Sequence, residues 1–389
     1  MITDVTERGG AECVRGEFCE QRVEGSERFV VGSEVWLTGF EPFGEHEVNI
    51  SQQVAEALDG FSDVIGLGES PGPYRAETRE STLVLHTTIL SVDEEGSNAI
   101  ASRLESENGD VAEKSGLPEA VVHLGLAENA EWIRIEECAV NRLDFRIADN
   151  SGRQVSDAQI HQIAPARLHT TSPHNLILAE CAGDDRIRRS DDAGEFVCNE
   201  TYFRTLHAVE TKGLKDNFSR ALPVLFVHLP PTSAIPLDEQ VELVRRIIAL
   251  SVQRPSMEVV GGLLRNDENH LLAARRSPEE YMGGYWEFPG GKVEPGESKA
   301  EALEREYFEE FGWRVKPLRI CEEYSHTWPE MAVQLTFFLC EADGELPPAV
   351  MTSHDECRWL QESELMGIEW LPPDVEFVER IQEKGVANL

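Results

Sequence analysis

The stretch WEFPGGKVEPGESKAEALEREYFEEFGW, residues 286–313, decides how the second half of the chain folds. Ser298 and Glu301 have the S-x-x-E spacing of a capping box, which starts a helix. Gly312 closes it, because glycine readily adopts the left-handed conformation at a helix end. Between them Leu303, Tyr307 and Phe311 recur at every fourth position, so they share one face and predict its burial. Glu306, Glu309 and Glu310 gather on another face, with Glu301 and Glu304 close by. Like charges at that spacing repel. A divalent cation among them turns repulsion into binding, and oxygen-only ligands suit Mg²⁺ or Mn²⁺, which typically also hold substrate phosphates. A solvated acidic helix is the competing reading. It accounts for the glutamates but not for the glycines and Arg305 that frame them.

That frame resembles the Nudix hydrolases, whose signature is G-x5-E-x7-R-E-U-x-E-E-x-G-U, with U bulky and apolar. Gly291, Glu297, Arg305, Glu306, Glu309, Glu310 and Gly312 match its fixed positions. Ordinary residue abundances make such a match at a given register an event on the order of one in 10⁸. Tyr307 and Trp313 stand where smaller aliphatics are usual. The resemblance implies that Glu306, Glu309 and Glu310 hold Mg²⁺ (or Mn²⁺), helped by Glu297 and the Gly290 carbonyl, with Glu309 also catalytic. It implies that Arg305 pairs with Glu301 or Glu309 and orients the helix. The reaction expected is attack of water on a diphosphate, giving a nucleoside monophosphate and pyrophosphate. YWEFPGGKVEPGE is similar to the mutator-type branch, which hydrolyses nucleoside triphosphates including 8-oxo-dGTP, and to CTP-preferring relatives. In EWLPPDVEFV (369–378), Asp374 falls where that branch reads the base edge. An ionised carboxylate accepts without donating, so it favours an exocyclic amine. The competing role for Asp374 is a helix N-cap after Pro-Pro. The base is left open, and a non-nucleotide diphosphate is the alternative substrate.

Upstream, strand-like and helical stretches alternate from Val35: VWLTGF, then ISQQVAEALDG, TLVLHTTIL, NAIASRLES, AVVHLGLA, NETYFRTLHAVE, PVLFVHLP and LDEQVELVRRIIALSVQ. Alternation of this kind predicts an α/β domain with a mostly parallel sheet. RPS at 254–256 marks a joint, after which MEVVGGLLRNDENHLLAARR reads as a hairpin around a polar NDEN turn. The expected organisation is a polar extension (1–33), an α/β/α sandwich (34–253), and a second α/β/α sandwich with a mixed sheet (257–389).

TGFEPFGEHEVNIS (38–51) has neither a phosphate loop nor a dinucleotide fingerprint. Taken together with LGLAENAEWIRIEECAVNRLDFRIADN (124–150), SDDAGEFVCNETYF (190–203) and LFVHLPP (225–231), it resembles pyroglutamyl peptidase type I, the pyrrolidone-carboxylate cysteine peptidases. The likeness covers roughly residues 35–250, in the family's order of Glu, Cys and His. A thiol peptidase needs a thiolate, a base and a group that orients the base. Cys198 opens a helical run, where a helix N-terminus favours the thiolate. His228 ends a buried strand, and Glu136 stands five residues before Asn141 in the family's E-x-x-A-x-N frame. The resemblance implies that Cys198 attacks, His228 shuttles the proton and Glu136 holds the imidazole tautomer. Phe40 and Phe43 match aromatics that sandwich the lactam ring, and Asn49 a residue beside that pocket. Departures are Leu126 in place of a glutamine found in some members, Glu128-Asn129-Ala130 in place of Gly-Gly-Arg, and Ala148 in place of a proline. The alternative for this domain is a non-catalytic scaffold.

Composition narrows the partners. The 389 residues carry 72 acidic and 35 basic side chains, a formal charge of −37. Binding to a nucleic-acid polymer or an anionic membrane is therefore not expected. No apolar run reaches the ~18 residues that span a bilayer. The eight cysteines form no CxxC pair and no zinc spacing. They read as reduced thiols of a cytoplasmic protein whose N-terminus lacks the regions of a signal peptide. A homo-oligomer is compatible with the peptidase resemblance, and the expected partners are small: a nucleotide and peptides beginning with pyroglutamate.

Overall fold

Ala120–Leu126 and Val224–Leu229 are apolar and buried at nearly every position, as strands covered on both faces must be. The computed structural model describes residues 32–70, 72–107, 116–344, 346 and 351–386, so the polar extension lies almost wholly outside the described residues, as do Cys13 and Cys19. The two strands sit inside a seven-stranded sheet. Its spatial order is Ser62–Gly66, Glu80–Leu90, Ser33–Phe40, Ala120–Leu126, Val224–Leu229, Ile133–Glu136, Ile187–Ser190. The four from Glu80–Leu90 to Val224–Leu229 run parallel; Ser62–Gly66 and Ile133–Glu136 are antiparallel to their inner neighbours.

Period-two alternation sorts this sheet's side chains onto two faces. Leu225, Val227, Ile133 and Ile135 pack under the helices Ile50–Ala57, His174–Glu180 and Leu237–Ser251. Val224, Phe226 and Val121 pack on the opposite face, under Glu94–Glu107 and Val197–Lys212. The same parity sends Gly125, His228 and Glu136 to the face covered by Val197–Lys212. The expected α/β/α sandwich with a mostly parallel sheet is what the structure shows.

In the C-terminal domain, Pro255–Leu264 pairs with Gly290–Lys292 on one side and runs parallel to Ala332–Ala342 on the other, with Val315–Thr327 beyond. A second sheet holds Trp286–Glu287, Leu271–Arg276 and His354–Leu360. The helix Lys299–Phe311 buries Leu303, Tyr307 and Phe311 against Val260, Leu264 and Phe338. The closing helix Pro372–Lys384 buries Phe377, Val378 and Ile381 against Leu335 and Phe337. The expected NDEN turn forms, with Asn266 N–H donating to the His270 carbonyl, but the ladder of the hairpin expected over residues 257–276 does not extend from it. Pro255–Leu264 and Leu271–Arg276 belong to different sheets and share one bridge, Arg265 with Leu271. Tyr74–Ala76 and Gly290–Lys292 take Pro255–Met257 and Val259–Gly261 on the edge away from Ala332–Ala342, so the strand that follows pairs with Trp286–Glu287 and His354–Leu360 instead.

The two domains meet through main-chain pairing. Tyr74–Ala76 of the first domain pairs antiparallel with Pro255–Met257, on the edge away from Ala332–Ala342, just before the stretch that Gly290–Lys292 takes. Arg254 grips Glu77 with two hydrogen bonds of 2.7 and 2.8 Å, and Arg75 lies 2.7 Å from Glu258. No described helix is long and apolar enough to cross a membrane. Arg254 and Glu77 are both largely buried, so Arg254→Ala strands a carboxylate. A loss of about 1–3 kcal/mol is expected, read as a lower urea midpoint in chemical denaturation of the full chain.

Candidate active sites

Glu136, Cys198 and His228 come from three separate elements, and the sheet's parity brings them together. His228 lies beside Gly125 on one neighbouring strand and Arg134 on the other. Its Nδ1 is 2.8 Å from Glu136 Oε1, and Cys198 stands close enough to the ring to favour its charged form. Both Glu136 and His228 are buried. Burial opposes the imidazolium charge, but the neighbouring Cys198 and Glu136 outweigh it and push His228 up to about 9. Gly125 makes the approach feasible. A Cβ there would sit 2.8 Å from the Phe226 ring and 3.0 Å from Cys198 Sγ. Cys198 is the second residue of Val197–Lys212, whose N-cap Phe196 supplies no side-chain cap. The first-turn N–H groups there are left to other acceptors.

The motifs that flank these residues are braces. Asp149 accepts from Arg153 Nε at 2.8 Å, and Arg153 reaches on to both carboxylate oxygens of the buried Glu200, two residues after Cys198. Asn150 donates to Glu41 Oε1 at 2.9 Å and to the Pro42 carbonyl at 3.0 Å, which ties down the loop carrying Phe43. Asn49 is buried and inward-turned. Its Oδ1 caps Ile50–Ala57 by accepting from Ser51 N–H and Oγ–H, and its Nδ2 donates to the Glu41 carbonyl. It shapes the loop instead of offering free groups.

Phe40 is buried with its ring 6.4 Å from Phe226, while Phe43 stands 5.9 Å from Phe196. Phe196 and Phe145, 4.6 Å apart, were missed in the sequence and complete the aromatic wall. Phe196 lies two residues before Cys198, which was the available signal.

The acidic helix of the C-terminal domain begins with the expected capping box, Ser298 with Glu301, and ends at Gly312 with φ 70°. Of the two partners expected for Arg305, Glu309 is taken and Glu301 is not. Glu301 is turned back into the cap, so Arg305 does not take it. Arg305 holds both oxygens of Glu297, and bonds Glu306 at 2.9 Å, Glu309 at 3.1 Å and the Lys292 carbonyl at 2.8 Å. The guanidinium thus lies among three of the four glutamates expected to share a cation. Among the described residues no three acidic, His or Cys side chains converge as a ready metal cage.

Glu310 is the exception. Its Oε2 is buried without a hydrogen-bond partner. Burial, with Glu287 and Glu306 nearby, pushes its carboxyl up to about 8. Burial also raises Glu306, whose carboxylate lies where a Cβ on Gly291 would come within 2.3 Å. Gly290 is equally constrained, since its Cβ would meet the Val260 carbonyl at 2.0 Å. Two crowded carboxylates, one oxygen unpaired, and a glycine pair that opens the space beside them fit a divalent cation. His354, which no motif flags, supports this pocket from behind. Its Nε2 is 2.8 Å from Glu287 Oε1, and its Nδ1, also unpaired, faces Glu310 Oε2 at 3.9 Å. Gly262 explains the tyrosine of the signature. A Cβ there would strike the Tyr307 ring at 2.5 Å, and Tyr307 O–H donates to the Gly262 carbonyl at 2.8 Å.

Asp374 is not an N-cap. Leu371 takes that place, and Asp374 is the third residue of the helix. It is buried, and burial with Glu287 nearby raises its carboxyl well above the usual range, while the Phe288 N–H reaches Oδ1 at 3.4 Å. In its protonated form a carboxyl donates as well as accepts, so the acceptor-only preference drawn from the sequence belongs to the ionised form alone.

Comparison with known proteins agrees with both halves. The pyroglutamyl peptidase family model matches residues 95–250, and the NUDIX domain model matches residues 255–381. The chain is 33% identical over 206 residues to the pyrrolidone-carboxylate peptidase of Deinococcus radiodurans, covering 52% of this chain and 79% of that protein. The chain belongs to the pyroglutamyl peptidase family. A NUDIX domain follows in the same chain. The pyrrolidone-carboxylate peptidase of Pyrococcus furiosus is 29% identical over 199 residues, 50% of this chain and 80% of that one. The crystal structure of pyrrolidone carboxyl peptidase from Thermus thermophilus is 30% identical and covers 56% of this chain and 99% of its own, with a TM-score of 0.42. Both domains are of hydrolase families, and Nudix hydrolases generally need a divalent metal such as Mg²⁺ or Mn²⁺.

The raised His228 of the pyroglutamyl peptidase domain gives a signed pH dependence. Its stabilising contribution is complete below the unfolded value of about 6.5 and is lost as pH rises through about 9. The stability gap between wild type and His228→Gln is expected to shrink over that interval, read by urea denaturation at successive pH values.

Proposed function

We propose that the chain is a bifunctional hydrolase: a thiol peptidase that removes N-terminal pyroglutamate, joined to a divalent-metal-dependent nucleoside triphosphate pyrophosphohydrolase. The observation that carries the peptidase reading is the 2.8 Å contact of His228 Nδ1 with a fully buried Glu136, with Cys198 beside the same ring. Cys198 Sγ attacks the carbonyl carbon of the pyroglutamyl residue. His228 takes the thiol proton and delivers it to the departing amine, while Glu136 fixes the ring and stabilises its positive form. The uncapped N–H groups at the start of Val197–Lys212 stabilise the developing oxyanion. Water then releases pyroglutamate from the thioester, with His228 accepting its proton. The uncharged lactam lies against Phe40 and Phe43, with Asn49 holding the loop that presents them.

In the NUDIX domain, Glu306, Glu309 and Glu310, with Glu297 and the Gly290 carbonyl, are the groups that hold Mg²⁺ or Mn²⁺. The cation supplies a Lewis acid for the phosphates and a water of lowered pKa. Arg305 holds Glu297 and Glu306 in place and keeps Glu309 at the exposed edge, where a polyphosphate arrives. Asp374, buried at the foot of the last helix, reads the base. A nucleoside triphosphate, with 8-oxo-dGTP as one candidate, is the substrate this arrangement suits. The six described cysteines are free thiols, which supports a cytoplasmic setting.

Two single-residue variants separate the activities. Cys198→Ser is expected to abolish release of a fluorophore from a pyroglutamyl amide; undiminished release refutes the nucleophile. Glu309→Gln is expected to lower pyrophosphate release from a nucleoside triphosphate panel with Mg²⁺ by at least about 10²-fold. Turnover near that of wild type refutes its role at the cation.

A further inference from the structure

The helix that begins at the nucleophile carries polar groups where a buried helix face ordinarily carries apolar ones. Asn199, Tyr202 and Thr205 recur at every third position of Val197–Lys212, so they share one face, and none has exposed surface. Each reaches a different strand. Asn199 Oδ1 accepts from the Val140 N–H at 2.8 Å, and its Nδ2 donates to the Val140 carbonyl at 2.9 Å and the Arg142 carbonyl at 3.0 Å. Tyr202 O–H donates to the main-chain carbonyl of Glu136 at 3.1 Å. Thr205 Oγ1 lies 3.1 Å from His123 Nε2, and the other nitrogen of that ring lies 2.7 Å from Thr38 Oγ1. Asn199 directly follows Cys198. The ties from Asn199 and Tyr202 therefore join the first turns of the nucleophile's helix to residues 136–142, the segment that carries the triad's carboxylate.

We infer that Asn199 and Tyr202 are positioning residues of the peptidase site: they fix the height and rotation of the Cys198 helix against the Glu136 segment, so that thiol and carboxylate meet the same imidazole. The inference rests on the peptidase reading above. Glu136 needs such ties. Its Oε1 meets the His228 ring and its Oε2 has no hydrogen-bond partner, so the carboxylate is not steadied from behind and its position follows its main chain. Tyr202 holds that main chain at the residue itself, and Asn199 holds it four residues on. Apolar packing is non-directional and tolerates sliding of a helix, whereas hydrogen bonds weaken steeply when misaligned. An apolar face would bury this helix without fixing its register. A polar one costs desolvation unless its groups are paired, and the amide oxygen and both amide hydrogens of Asn199 are paired. Neither residue makes or breaks a bond in the reaction. Their effect passes through Cys198 and Glu136.

The test uses the full chain with Tyr202→Phe, which removes one hydroxyl, and Asn199→Asp, which keeps an acceptor for the Val140 N–H but sets a carboxylate against two carbonyl oxygens. The first readout is cleavage of a pyroglutamyl fluorogenic amide. There kcat is expected to fall about tenfold for Tyr202→Phe and further for Asn199→Asp, with KM within about twofold of wild type. The second readout needs no substrate: the rate at which iodoacetamide alkylates Cys198 as a function of pH, followed by mass spectrometry of its peptide. Cys198 and Glu136 are the ionisable groups that act on His228. Wild type is expected to react on the acid side of the ordinary thiol range, as a thiolate paired with imidazolium does. Both variants are expected to lose that acid-side rate several-fold, because a displaced thiol or carboxylate no longer supports the imidazolium. An alkylation profile in Tyr202→Phe that matches wild type, even with a lower urea midpoint, shows a merely structural bond and overturns the inference. Should Asn199→Asp fail to fold, Tyr202→Phe decides alone. Should wild type cleave no pyroglutamyl amide while Tyr202→Phe still shifts the alkylation profile, the peptidase reading falls and the placement of the thiol stands.

Discussion

A carboxylate withdrawn from water must be neutralised, and each half of this protein is arranged around one. In the peptidase domain the group is Glu136, which has no exposed surface and one oxygen on His228. The cation that satisfies it is a side chain of the protein, so the imidazolium is stabilised even though burial disfavours it. In the NUDIX domain the group is Glu310, and the nearest ring nitrogen, 3.9 Å from its Oε2, is too distant for a hydrogen bond. Burial, with Glu287 and Glu306 nearby, raises its carboxyl. Each carboxylate keeps one buried oxygen without a hydrogen-bond partner, Glu136 Oε2 and Glu310 Oε2, but only Glu136 has a ring nitrogen within hydrogen-bond reach of its other oxygen.

Those placements depend on backbone geometry that side chains alone would not supply. Gly125, Gly262, Gly290 and Gly291 all stand where a methyl group would collide, with Cys198 and Phe226, with Tyr307, with the Val260 carbonyl and with Glu306 respectively. Each glycine lets a strand approach a functional or core group more closely than any other residue permits. The domain joint follows a similar economy. Tyr74–Ala76 pairs alongside the start of Pro255–Leu264, which protects that stretch from pairing with another chain and links the two sheets through hydrogen bonds.

The sequence discloses these arrangements unevenly. The helix Lys299–Phe311 was legible in full because its cap, its buried face and its terminator are all local. The strand parity that carries His228 to the Cys198 helix was legible in the apolar run of Val224–Leu229. What escaped was set by partners distant in sequence. Nothing near residue 266 shows that Tyr74–Ala76 and Gly290–Lys292 already take an edge of Pro255–Leu264, so an extended hairpin ladder was a natural but mistaken expectation. Arg305 was paired by helical spacing, yet Glu297 reaches it from the preceding loop, and the cap claims Glu301. Asp374 gave no sign of its burial, which comes from the packing of the last helix against Phe288 and Phe337. His354 has no motif because its relevance lies only in what Glu287 and Glu310 do across the fold.

The net charge of −37 sharpens the argument for a cation in the second site. A polyphosphate approaching this surface needs local positive charge, and three side chains near the acidic helix that could provide it are already engaged. Arg276 is held by Glu287, Lys299 by Glu323 and Thr336, and Arg305 by Glu297, Glu306 and Glu309. Each of these pairs orders a glutamate but leaves little positive field for a substrate. A divalent ion differs in that it carries two charges on one atom and can bind protein carboxylates and substrate phosphates at once. In the proposed function the crowding of Glu306 and Glu310, unfavourable in isolation, is the feature that would draw such an ion to their oxygens.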